Sequence, residues 1–269
     1  MNKSSILGLI LGVVAVVVGM ALKGASPSNL VNPAAFLIII VGTVGAVAIS
    51  FPMDELKKVP KLFKIILTEQ KEMSVRELIP IVTEWANIAR KEGILALEDK
   101  VEEVNNDFLT HGMKMIIDGQ PPEVVKEMLE SDIAAMEERH RSGSQIFTSA
   151  GQAAPTLGVL GAVIGLIAAL GNLSDIEKLG HSIAAAFVAT LLGIFTGYVL
   201  WLPFAKKLQR ISQKEVVMKE IMMEAILSIQ DGVSARLLED KMLTYLPAKQ
   251  RKVVQEAAAE NVTAQEQLA

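Results

Sequence analysis

Apolar residues follow two rhythms along this chain. Some form uninterrupted runs of membrane length, and others return every three or four positions between charged neighbours. Ile6–Leu22 and Pro33–Phe51 are long runs, and two more lie within residues 151–204, GQAAPTLGVLGAVIGLIAALGNLSDIEKLGHSIAAAFVATLLGIFTGYVLWLPF. About 20 apolar residues carry a helix across a bilayer, so the pattern predicts four transmembrane helices. The first run is expected to be retained. Its basic region is Lys3 alone, no A-x-A-like site follows Leu22, and a second apolar run begins soon after.

The remaining sequence reads as helical. Asp54–Gln70 mixes lysines with Val59, Leu62, Phe63, Ile65, Ile66 and Leu67. That pattern fits a helix leaving the membrane surface and equally an ordinary amphipathic packing helix. Ser74–Lys91 carries an apolar stripe from Leu78 to Ala89, with Ser74 as cap and Glu77 at the reciprocal capping-box position. Gly93 ends or kinks that helix, and Ile94–Val104 begins another. Asp118-Gly119-Gln120-Pro121-Pro122 is a turn, from which a polar helix beginning at Glu123 runs toward the third span. Lys206–Leu238 extends the fourth span, Gly232 marks a break, and the alanine-rich end, Glu256–Ala269, is expected to be mobile.

Charge placement orients these pieces. Of the 26 Lys and Arg, 13 lie in 52–146 and 10 in 205–269, leaving Lys3 and one lysine in each short loop, Lys23 and Lys178. Positive charge stays on the cytoplasmic side, so both termini are expected inside. The fold class is therefore an all-α membrane protein, with four transmembrane helices and a large helical cytoplasmic domain. Residues 1–51 hold spans one and two, 52–146 a cytoplasmic domain, 147–204 spans three and four, and 205–269 a cytoplasmic extension and tail. A 51% hydrophobic content beside 21% charged residues agrees with this division.

Composition removes several function classes. A net charge of −4 without a basic stripe gives no support to nucleic-acid binding. The absence of cysteine excludes disulfides, thiolate zinc sites and thiol catalysis. No phosphate-loop or H-E-x-x-H motif occurs, and His111, His140 and His181 are scattered, as surface or packing residues are. No catalytic residue, metal or cofactor is expected, and the protein reads as a non-enzyme.

The two later spans have no Asp, Glu, His, Lys or Arg in their apolar cores. Groups that carry protons or bind cations inside a bilayer are usually of those types, so a charge-carrying group must come from a partner. Gly8-x-x-x-Gly12, Gly161-x-x-x-Gly165 and Gly193-x-x-x-Gly197 place small residues one turn apart and suggest a crowded, oligomeric helix assembly. Pro155 and Pro203 lack amide hydrogens and release the carbonyls of Gly151 and Val199. Each is either a structural kink, the commoner case, or a hinge or polar site on an aqueous path. Thr156 and Thr190 are further candidates, because a threonine hydroxyl either bonds its own helix or offers oxygen to an ion.

Taken together, four spans in a two-plus-two arrangement, NPAAFLIIIVGT, ARKEGILALE at 89–98, DIAAMEERH at 132–140, APTLGVLGAVIGLI and YVLWLPFAKKL resemble the MotA/PomA family of flagellar motor stator subunits. The resemblance implies that Arg90 and Glu98 match a charged pair engaging the rotor protein FliG. It implies that Pro155 and Pro203 match membrane-boundary prolines coupling ion flow to movement, and that Thr190 matches a threonine near the ion path; it also lifts Thr156 above an ordinary helix threonine. A homopentamer around a MotB dimer is expected, with MotB supplying the protonatable aspartate, and membrane lipid as the surrounding medium. Ala162 matches the alanine of proton-driven members where sodium-driven ones carry a hydroxyl, so H+ is the expected ion. The alternative is an energiser of envelope transport like ExbB or TolQ, but those typically have three spans. A solute carrier would want ionisable or unwound segments, and none is evident.

Overall fold

The computed structural model describes residues 3–69, 73–248 and 251, and these form helices joined by short turns. The end at 256–269 lies outside the described residues. Among the described residues, four helices are long and apolar enough to cross a membrane: Ser4–Leu22, Pro33–Ser50, and the apolar portions of Pro122–Leu170 and Ile176–Gln230. The chain divides into two compact units, one of residues 1–70 and 138–212, the other of 71–137 and 213–269.

The first unit contains the spans. Its second span begins where Pro33 follows the N-cap Asn32, whose side chain accepts from the Ala35 amide at 3.1 Å. A π-helical segment, Leu37–Val41, follows before regular helix resumes at Gly42–Ser50. The surface helix expected over Asp54–Gln70 is instead two pieces, Met53–Leu56 and Val59–Leu67. Pro60 lies in the first turn of the second piece, where a missing amide costs nothing. The second piece buries Ile66 in a cluster with Phe147, Phe204 and Leu208. Phe63 meets Phe147 and Phe204 edge-on, at centroid separations of 5.2 and 5.9 Å, an arrangement that the ring quadrupoles favour.

The second unit has a separate core in which Leu78, Val82, Trp85, Leu97, Val101, Leu109, Leu129, Ile226, Leu238 and Met242 are buried. The capping box forms as expected. Ser74 Oγ accepts from the Glu77 amide at 3.3 Å, and the Glu77 carboxylate accepts from the Ser74 amide at 2.7 Å. Helix Val75–Glu92 stops at Gly93, whose φ of +91° is one that a side chain resists. The helix expected at 94–104 is reduced to a 3-10 turn, Ile94–Leu97, and a short helix, Glu98–Glu102. Gly119 and Gly232 also have positive φ, at the predicted turn and break.

Candidate functional site

The third and fourth spans meet through their smallest residues. A methyl placed on Gly193 would lie 2.7 Å from both the Ala154 carbonyl oxygen and Gly158 Cα. One on Gly161 would lie 3.1 Å from Ala189 Cβ, and one on Gly165 3.0 Å from Ala186 Cβ. The two Gly-x-x-x-Gly frames thus pack on each other's helix, and Gly158 stands directly against Gly193. Among the described residues the first-span frame is only half used: Gly12 abuts Val199, while none lies within 4 Å of a methyl on Gly8.

Pro155 is part of this contact. A methyl on Gly197 would sit 2.7 Å from Pro155 Cγ and 2.9 Å from the Gly151 carbonyl oxygen. The carbonyl released by Pro155 therefore faces the glycine backbone of the fourth span, and Gly151 is buried. Within this chain, close packing surrounds this carbonyl. Pro203 is exposed and follows a π-helical segment, Thr196–Trp201, in which the Leu202 amide donates to the Gly197 carbonyl. This wider register precedes the ring, so the carbonyl it releases is not set by α-helical counting to Val199 alone.

The threonine hydroxyls are engaged within their helices. Thr156 Oγ1 donates to the Gln152 carbonyl and Thr190 Oγ1 to the Ala186 carbonyl, each at 3.3 Å. Each oxygen keeps acceptor capacity. Thr156 shares an exposed face with Val159, Leu160 and Val163, and Thr190 stands one turn from the exposed Phe187 and Ile194. Ala162 is half-buried. These residues and Pro155 occupy two helices, with the threonines outside the glycine contact.

Unpartnered polar atoms in the first unit had no signal in the sequence. Among the described residues, Thr43 Oγ1 and Trp201 Nε1 there, and Gln230 Oε1 in the second unit, are buried without hydrogen bonds. Thr148, Thr156, Thr190 and Thr196 all bond back to the carbonyl four residues earlier. Thr43, just beyond the π-helical segment of the second span, does not.

In the second unit, Arg90 is in the last turn of Val75–Glu92 and Glu98 opens the next helix across the Gly93 turn. Both are exposed, and neither forms an ion pair among the described residues. Glu98 adds its charge to the field at Lys114, which pairs with Glu102 at 2.9 Å. That hydrogen bond, then the charge itself, lowers the Glu102 carboxyl below its ordinary value and raises Lys114 above its own. Buried Leu97 anchors the turn beneath this charged surface.

These features define a multi-pass helical membrane protein whose later spans are closely packed and uncharged. Comparison with known proteins gives the family. Residues 100–221 match the MotA/TolQ/ExbB proton channel family and residues 6–93 match Motility protein A N-terminal. Motility protein A of Bacillus subtilis is 54% identical over 97% of each chain, and that of Helicobacter pylori is 36% identical over 94% of this chain and 98% of its own. A chain in the flagellar MotAB stator complex of Bacillus subtilis superposes with a TM-score of 0.89 at 55% identity, covering 93% of this chain and 98% of that one. For a C. jejuni MotAB chain the values are 0.87, 33%, 92% and 97%. The chain belongs to the MotA/TolQ/ExbB proton channel family, among its flagellar motor stator subunits, a group not known as enzymes.

Proposed function

We propose that this chain joins a MotB-type partner to form a proton-conducting stator that converts ion flow into torque on the rotor. The observation that carries this reading is the uncharged pair of spans: residues 142–174 and 182–205 contain no Asp, Glu, His, Lys or Arg. A proton relay through a bilayer uses such groups. The partner must supply one, in keeping with the similarity to chains of MotAB complexes. A homopentamer around a MotB dimer is the expected assembly.

In this reading both termini face the cytoplasm, as do 52–146 and 205–269, which hold most of the basic residues. Thr156, Ala162 and Thr190 border the path taken by the ion and the partner helix. Pro155 and Pro203 couple changes there to the helices that continue out of the membrane. Moving one elementary charge through 100 mV releases about 2.3 kcal/mol, enough to rearrange a few side-chain contacts per proton. Arg90 and Glu98 present that movement to FliG, and their exposure supports this role.

Reconstitution into vesicles tests the proposal. Proton flux is expected with a partner bearing its membrane aspartate and is absent with this chain alone or with the aspartate replaced by asparagine. Robust flux through the chain by itself overturns it.

A further inference from the structure

The helix that carries the third span changes character along one face. Gln145, Ser149, Gln152 and Thr156 recur at intervals of four, three and four residues, which sets them in one line along a helix. Gln145, Gln152 and Thr156 are exposed and Ser149 is half-buried. Beyond Thr156 the same line continues through Val159 and Val163, exposed and apolar. The other side of the helix is taken up by packing: Ile146, Phe147, Ala150 and Ala154 are buried, and Ala154 shares a cluster with Ile39 of the second span.

The polar line is not a solvated charged surface, because 142–174 holds no ionisable residue. Gln145, Ser149 and Gln152 make no side-chain hydrogen bond among the described residues. A carboxamide left against hydrocarbon without a partner is costly, so this face meets water or polar groups. The fourth span adds one residue to it. Gly158 meets Gly193 while Gly165 meets Ala186, so the two helices run antiparallel, and Gly197 meets the Gly151 carbonyl oxygen. In an antiparallel pair, the residue following each contact glycine turns to the same side of the seam. Those residues are Gln152 and Tyr198, and Tyr198 is exposed.

We infer that this face is the inner, water-filled half of the ion path, in which Gln145, Ser149, Gln152 and Tyr198 hold a column of water that reaches from the cytoplasm to Thr156 and stops there. The apolar face beyond Thr156 is dry, so the partner's carboxyl group gives up its proton at the level of Thr156. The carboxylic O–H bond breaks, the proton passes to the nearest water, and a carboxylate and a hydronium result. The excess proton then moves along the column while the amide and hydroxyl groups, which stay neutral, orient its waters. This inference rests on the ion path proposed above and adds its direction, its inner length and the residues that wet it.

The chain has no cysteine, so single cysteines report water unambiguously. The complex with a cysteine-free partner is placed in inside-out vesicles, and a membrane-impermeant thiosulfonate is added from the cytoplasmic side. Gln145→Cys, Ser149→Cys, Gln152→Cys and Thr156→Cys should react, with Val159→Cys and Val163→Cys about tenfold slower, because the reactive thiolate forms in water. Val44→Cys controls for depth: Val44 is exposed on the second span, two residues inward of Gly42, which abuts Leu157, and it should also react slowly. Should a cysteine at 152 prevent assembly, 149 and 156 decide by the same comparison. Gln152→Leu should lower proton flux about tenfold, the loss of one hydrogen bond to the column, with partner co-purification unchanged; Gln152→Asn should restore most of it, and Tyr198→Phe should lower it by removing the hydroxyl alone. Wild-type flux is measured first, and its absence counts against the proposed function. Given wild-type flux, this inference alone is overturned by slow labelling along the polar line, by equally fast labelling of Val163→Cys or Val44→Cys, or by full flux in Gln152→Leu.

Discussion

Replacing Gly193 with alanine should separate the third and fourth spans. The new methyl would lie 2.7 Å from the Ala154 oxygen and Gly158 Cα, whereas carbon contacts are most favourable at about 3.5–4.0 Å. Relief requires an opening of about 1 Å, enough to forfeit a quarter to a half of the attraction across each neighbouring contact. Those contacts include Gly161 on Ala189, Gly165 on Ala186 and Gly197 on Pro155. Overpacking of this kind costs about 1–3 kcal/mol. Gly45→Ala is the matched control, because none of the described residues lies within 4 Å of its added methyl; it should be neutral or stabilising by up to about 1 kcal/mol through helix propensity. Thermal unfolding in mild detergent, followed by circular dichroism, compares the two. Gly158→Ala widens the same gap, so the double variant should lose less than the sum of the single losses. Equal stability of Gly193→Ala and Gly45→Ala, or strict additivity with Gly158→Ala, would refute the contact as described.

The other predictions concern charge, ion and cap. Arg90→Glu should abolish or weaken swimming while leaving membrane insertion and partner binding intact, with recovery by a compensating charge change on FliG; failed partner assembly would instead make the residue structural. Swimming should collapse with a protonophore and persist when sodium is replaced at constant ionic strength, because Ala162 offers no oxygen and Thr190 alone gives sodium too few ligands. A motor that stops without sodium while its proton gradient holds contradicts that assignment. Ser74→Ala should cost about 1 kcal/mol by removing a helix cap, measured as a lowered midpoint for unfolding of the complex, with Ser74→Asp retaining most of the stability; equal midpoints for alanine and wild type would show the cap to be dispensable.

The spans were legible because their signal is redundant: twenty apolar residues tolerate many substitutions and still read as one helix. Ser74 with Glu77, and the glycines at 93, 119 and 232, were legible because each has a local geometric task. The pairing of Gly158 with Gly193 was not. A glycine frame names a helix face but not its partner, and Gly158 belongs to neither frame at the contact. The π-helical segments were also hidden, since they change which amide meets which carbonyl without altering the apolar pattern. The interruption between Met53–Leu56 and Val59–Leu67 escaped because the lysine pattern continues across it. As for the candidate site, sequence separated Arg90 and Glu98 from the membrane residues and showed that the spans lack charge. Tertiary packing alone reveals that Thr43 and Trp201 are unpartnered.

The π-helical segments at Leu37–Val41 and Thr196–Trp201 also affect how this protein can change length over generations. Losing one codon from an ordinary helix turns every later side chain by about 100°, which in the fourth span would swing Phe204 and Leu208 out of their cluster. A π turn already accommodates an extra residue. Deletion inside either segment can tighten it to an α turn while preserving the facing of both flanks. These are the places where inherited single-residue deletions should survive in the spans.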